Sequence, residues 1–147
     1  MEAITHRHVQ SNGITMHIAE AGEGPLVVLL HGFPELWFSW RHQLPALAAA
    51  GYHAVAPDLR GYGETDAPQA IESYSMLTMT ADVVGLLDAM QAETAVLVGH
   101  DWGCGDRLAL RAALSATHRS RGSPLRSLLA TPDDPHAEDE AGIWQGL

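Results

Sequence analysis

Asp101 lies where side-chain type, spacing and context together point to chemistry. It is the centre of Gly99-His100-Asp101-Trp102-Gly103, directly after the apolar run Thr94-Ala95-Val96-Leu97-Val98. A small-x-acid-x-small pattern at the end of a buried strand matches a nucleophile elbow, with Asp in place of the more familiar Ser. A sharp strand-to-helix turn exposes the middle side chain, and the residues two away must be Gly because the backbone crowds there. A following helix would aim its N–H groups and positive end at the site, which favours an anion. A carboxylate needs no base to be nucleophilic at neutral pH, and its attack on an electrophilic carbon forms an ester. The plainer reading of such an Asp is a helix N-cap. A second motif favours catalysis: His31-Gly32-Phe33-Pro34 follows directly on Leu26–Leu30. The loop after such a strand supplies one backbone N–H of an oxyanion hole, and the residue after the nucleophile supplies the other. Here those donors would be the N–H groups of Phe33 and Trp102.

The elements that must position these residues are legible in the apolar pattern. Asn12-Gly13 joins Arg7–Ser11 to Thr15–Glu20 as a two-residue hairpin turn. The continuous apolar run Pro25–Leu30 fits a strand buried on both faces of a parallel sheet. Trp40, Leu44 and Leu47 recur at helical spacing; Pro45 sets the regular start near Leu44, and Gly51 stands where a C-terminal cap belongs. Tyr52–Pro57 reads as a second short strand. Met79, Val83, Leu87 and Met90 share one helical face, with Asp82 favourable toward the positive end of that helix. Hairpin, strand, helix, strand, helix, strand is an α/β order, and it implies a mostly parallel sheet with right-handed crossovers.

Composition narrows the function classes. The 147 residues carry eight basic side chains, all Arg, against eighteen acidic ones, a net charge of −10. That sign argues against nucleic acid or an anionic membrane surface as a partner. No apolar run approaches the roughly 20 residues of a membrane span, and the first residues lack the pattern of a signal peptide. Cys104 is the only cysteine, so no intrachain disulfide forms. A cytoplasmic protein is expected. Gly61-Tyr62-Gly63 is a turn rather than a phosphate loop, since a third Gly is missing. His6, His8 and His17 belong on a strand face or the surface, with no metal-ligand spacing. Cys104 reads as a small buried hydrophobe.

The composition shifts after residue 103. Residues 1–103 hold eight Val and four Ile, whereas residues 104–147 hold no Val and one Ile. Strands favour β-branched and aromatic residues, so no buried strand is expected beyond residue 103. The reading is a core over 1–103, an elbow helix and irregular segment over 104–130, and a disordered tail over 131–147. The helix would run through Leu108, Ala112 and Ala116.

His31-Gly32-Phe33-Pro34-Glu35, Trp37-Phe38-Ser39-Trp40-Arg41, Gly61-Tyr62-Gly63-Glu64-Thr65 and Gly99-His100-Asp101-Trp102-Gly103 together resemble the soluble epoxide hydrolases of the α/β-hydrolase fold, the plant branch above all. The resemblance covers residues 1–103. It implies an Asp nucleophile that opens a small apolar epoxide to a vicinal diol without metal or cofactor. Asp101 takes the nucleophile position, and Phe33 and Trp102 the oxyanion-hole positions. His31, Gly32, Pro34, Gly99, His100 and Gly103 support the elbow and loop. Trp37 and Trp40 match aromatic positions near the pocket, or pack in the core. The resemblance also implies a cis Phe33–Pro34 bond.

Beyond residue 103 the family pattern ends. The resemblance implies further strands, a cap with two tyrosines, an orienting acid and a water-activating His. No Tyr follows residue 103, and the only histidines there are His118 and His136. Those two read as exposed, and Asp133 and Asp134 as tail charges. Gly105–Leu110 can be encoded so that a shift of one base gives Val-Ile-Ala-Trp-Arg-Phe, similar to the family's elbow helix; a frame change or altered splice is the expected cause. The chain should then be a truncated, weakly active or inactive hydrolase with the strand at Thr94–Val98 left as an edge that invites self-association. Two alternatives stand beside this reading. One is a non-catalytic fragment that binds a ligand or partner. The other is a haloalkane dehalogenase-like hydrolase, against which Phe33 speaks because those enzymes place a polar halide ligand there.

Overall fold

The computed structural model describes residues 3–92, 94–104 and 127–130. Strands β1 (Thr5–Ser11) and β2 (Ile14–Ala21) form the expected hairpin. Ser11 faces Ile14 across the turn, and Asn12 and Gly13 have φ of 46° and 77°, the left-handed pair that a tight hairpin of this hand requires. Then follow β3 (Leu26–Leu30), helix α1 (Gln43–Ala49), β4 (His53–Pro57), α2 (Met76–Ala89), β5 (Ala95–Gly99) and β6 (Ser127–Ala130). Gly51, at φ 87°, ends α1 by donating its N–H to the Ala48 carbonyl, as the cap reading expects. Ser75 caps α2, its side chain accepting from the Thr78 N–H.

The sheet order is β1-β2-β4-β3-β5-β6. β1, β2 and β4 pair antiparallel in sequence, while β4, β3, β5 and β6 run parallel. β3 alternates Leu26, Val28 and Leu30 toward one core cluster with Val27 and Leu29 toward the other. Val83, Leu86 and Leu87 of α2 close the first cluster. Leu44, Leu47 and Ala48 of α1 close the second, against small residues Ala19, Ala21, Ala54 and Ala56. The chain leaves β3 for β4 on one side and returns to β5 on the other, so the ends of β3 and β5 meet where ligands bind in such sheets.

Two expectations change. β6 pairs in parallel with β5, Val96 facing Leu128 and Leu97 facing Leu129. A strand does follow residue 103, within the segment expected to be irregular, and β5 is an inner strand rather than an edge. Strand propensity reflects fit to a neighbour more than an intrinsic bias, and a ready parallel partner outweighs the lack of β-branched residues at Leu128 and Leu129. Asp82 does not serve the positive end of α2. It is buried, and Arg60 grips both its oxygens at 2.8 and 2.6 Å while the Asn12 side chain donates at 2.8 Å. The helix expected through Leu108, Ala112 and Ala116, the tail and His118, His136, Asp133 and Asp134 lie outside the described residues. Among the described residues no helix is long and apolar enough to cross a membrane, and no three His, Cys, Asp or Glu side chains surround a common point that could hold a metal ion.

Candidate active site

β5 delivers its last residue, Gly99, beside Leu30 at the end of β3. His100 N–H then donates to the Leu30 carbonyl at 3.2 Å, and the chain turns into a short 3-10 segment, Asp101–Cys104. Asp101 takes φ 52°, a left-handed conformation that L residues rarely adopt. Such a backbone costs on the order of 1–3 kcal/mol and persists only where the surroundings fix it. Its carboxylate is exposed. Gly103 donates its N–H to the His100 carbonyl at 2.9 Å, and a Cβ at Gly103 would fall on the Leu30 carbonyl oxygen. The elbow thus needs Gly at 103 because the turn lies directly against β3.

The loop after β3 faces this turn. The Phe33 N–H donates to Asp101 Oδ2 at 3.0 Å. Gly32 supplies the closeness, since a Cβ there would lie 2.6 Å from the Asp101 Cβ. The Phe33–Pro34 bond is cis. Glu35 closes a turn by donating its N–H to the Gly32 carbonyl at 2.9 Å, and its carboxylate lies 3.6 Å from His100 Nδ1. The Phe33 ring is 62% exposed, and Phe38 and Leu36 also face outward. The site therefore joins an exposed carboxyl group, one aligned N–H donor and an apolar rim. Trp102 follows Asp101 in the 3-10 segment.

His31 takes no proton in this arrangement. It is fully buried. Nε2 accepts the Leu59 N–H at 2.9 Å, so the ring proton is on Nδ1, which donates to the Gly32 carbonyl at 2.9 Å. Burial pushes its pKa below the ordinary 6.5, outweighing the opposing hydrogen bond to Gly32 and the charges of Asp58 and Glu35. Trp37 and Trp40 flank the 3-10 turn after the loop and pack on the α1 side of the core. Trp37 also meets the edge of His6 at 4.6 Å. Trp40 Nε1 is buried with no hydrogen-bond partner among the described residues. Sequence reasoning missed the polar ties behind the site, those of Asp58 above all. The signal was present: an acid, Asp58, stands directly after an apolar strand with Gly63 close behind it.

The α/β-hydrolase fold family model matches residues 25–139. The chain belongs to the α/β-hydrolase fold family. Within it, the chain is 58% identical over 103 residues to epoxide hydrolase 3 of Siraitia grosvenorii, an overlap of 70% of this chain and 33% of that protein. It is 55% identical over 127 residues to epoxide hydrolase A of Mycobacterium tuberculosis, covering 78% of this α/β-hydrolase chain and 39% of the relative. The crystal structure of an epoxide hydrolase from Vigna radiata superposes with a TM-score of 0.72 at 48% identity, over 86% of this chain and 38% of that one. Thus the chain spans about a third of the length of the curated relatives it matches. The resemblance read from the four motifs holds, and the fold is the N-terminal part of the family architecture.

Proposed function

We propose that this chain carries the nucleophilic half of an epoxide hydrolase reaction. One Asp101 oxygen attacks a ring carbon of an apolar epoxide, the carbon–oxygen bond of the ring breaks, and the released alkoxide takes a proton from water. The product is a hydroxyalkyl ester of Asp101. Attack of water on the ester carbonyl then releases the vicinal diol and returns the carboxylate. In that step the negative charge develops on the carbonyl oxygen, where the N–H groups of Phe33 and Trp102 stabilise it. The observation that carries the reading is the exposed Asp101 carboxylate on a strained turn, with Phe33 N–H 3.0 Å from Oδ2. The exposed Phe33, Leu36 and Phe38 suit an apolar substrate.

Turnover by this chain is slow. A positioned base contributes about 10²–10⁴-fold to such a hydrolysis. Residues 104–147 hold no Tyr, and their only histidines, His118 and His136, stand among polar residues unlike the His loop that the resemblance implies. The ester should accumulate. Purified chain incubated with styrene oxide should gain the mass of one epoxide on the peptide containing Asp101, and Asp101→Ala should abolish the gain. No Asp101-dependent adduct would overturn the reading. Rapid multiple turnover abolished by Asp101→Ala would overturn the claim of slow hydrolysis.

A further inference from the structure

The loop that presents the Phe33 N–H has little packing of its own. Phe33 is 62% exposed, Leu36 38% and Phe38 55%. Its internal ties are the Glu35 N–H to the Gly32 carbonyl at 2.9 Å and a long contact of 3.5 Å from the Gly32 N–H to Glu35 Oε2. Its middle meets the Asp101 turn through the Phe33 N–H and Glu35; its ties to the rest of the sheet lie at its two ends, and both ends reach the same place. His31, at the entry, accepts the Leu59 N–H at 2.9 Å. Trp37, at the exit, donates its N–H to Asp58 Oδ1 at 2.9 Å. Asp58 and Leu59 are adjacent residues, just past β4.

Asp58 is itself fixed from several directions. It is buried, and its Oδ2 accepts from His17 Nδ1 at 2.8 Å and from the Glu64 N–H at 3.3 Å. Its N–H donates to the His17 carbonyl at 3.0 Å, and its carbonyl accepts from the Thr65 hydroxyl at 2.7 Å. A Cβ at Gly63 would fall on the carboxylate, so the turn after β4 is shaped to let the chain close around it. Such a carboxylate cannot shift to follow a wandering loop.

We infer that Asp58 is a positioning residue: with Leu59 it clamps the two ends of the loop 31–37 and thereby sets where the Phe33 N–H stands against Asp101. Its effect on catalysis rests on the epoxide hydrolase reading above; the clamp itself does not. Asn at 58 cannot replace it, because one amide face would put a donor against either Trp37 N–H or His17 and Glu64.

Hydrogen exchange by mass spectrometry on the full chain tests the clamp, with Asp82→Ala as a control that breaks a buried polar network elsewhere. In Asp58→Asn the amides of residues 33–37 should exchange about tenfold faster or more, since a hydrogen bond to a charged group is lost. Those of β3 and β5 should hold. Asp82→Ala should leave residues 33–37 unchanged. A second arm follows decay of the Asp101 ester after excess styrene oxide is removed, scaled to the ester present. In Asp58→Asn the decay rate should fall about tenfold or more, because the Phe33 N–H no longer meets the developing oxyanion; Asp82→Ala should keep it. Wild-type exchange at 33–37 in Asp58→Asn, or an equal rise in Asp82→Ala, would overturn the inference. A wild-type chain that forms no Asp101 ester would defeat the functional reading, and the exchange arm would still decide the clamp. If Asp58→Asn does not fold, Thr65→Val, which removes the hydroxyl linking Asp58 to His17, should raise exchange at the same residues by a smaller factor; no rise there would overturn the clamp.

Discussion

Asp101 and His31 stand at the ends of neighbouring strands, and the fold treats them in opposite ways. Asp101 is exposed on a left-handed turn, whereas His31 is enclosed with both ring nitrogens engaged. Burial lowers the His31 pKa below 6.5, so the unfolded chain binds a proton that the folded chain refuses. The stability this residue gives is therefore complete above about 6.5 and is lost as pH falls through that value toward the lower folded one. Glu20 adds a second loss at lower pH. Burial alone would raise its pKa, but hydrogen bonds from Arg7 and His53 outweigh burial and hold it below 4.5. Its contribution is present above 4.5 and lost as pH falls below that value. Urea unfolding between about pH 8 and about pH 5.5 should show the His31 loss. His31→Asn should be less stable at about pH 8 by roughly 1–3 kcal/mol, the cost of an unsatisfied buried donor at Leu59, yet should lose less on acidification.

At the scale of elements, α2 is joined to the rest by charge as well as by its apolar face. Arg60 and Asp82 side chains are 6% and 2% exposed, and Arg60 grips both oxygens of the acid. Removing one partner of a buried pair strands the other charge. Asp82→Ala should therefore cost about 3–5 kcal/mol in denaturant unfolding, more than removal of a surface ion pair. This pair also marks the limit of what the sequence discloses. The hairpin, β3, β4, β5 and both helices follow from spacing, runs and turn residues, because those signals are local. The turn at Gly99–Gly103 and the loop that meets it at Phe33 were legible for the same reason: each is a short motif directly after a strand. Arg60 and Asp82 lie 22 residues apart, and nothing local marks either as the other's partner. β6 was hidden differently. Ser127-Leu128-Leu129-Ala130 has weak strand character by itself, and its place depends on the ladder that β5 offers.

For the molecule as a whole, β6 decides whether the apolar strand β5 is an inner strand or an edge. A chain cut after Arg126 should expose the β5 ladder and form dimers or larger species in size-exclusion chromatography at concentrations where the full chain elutes earlier only in proportion to its own mass. Equal behaviour of the two chains would mean that β6 does not protect β5. The hairpin carries another consequence of long-range fastening. Its turn residue Asn12 is tied to Asp82, and Ser11 donates its hydroxyl to the Asp82 carbonyl, across 70 and 71 residues of chain. A ribosome adding about 5–20 residues per second completes the hairpin several seconds before it makes the helix that covers it. During that interval Val9, Ile14, Met16 and Ile18, all buried in the finished fold, are turned to water. Between the emergence of β1 and that of α2 the newborn chain thus carries an uncovered apolar face, and a chaperone waiting at the exit tunnel would find it there.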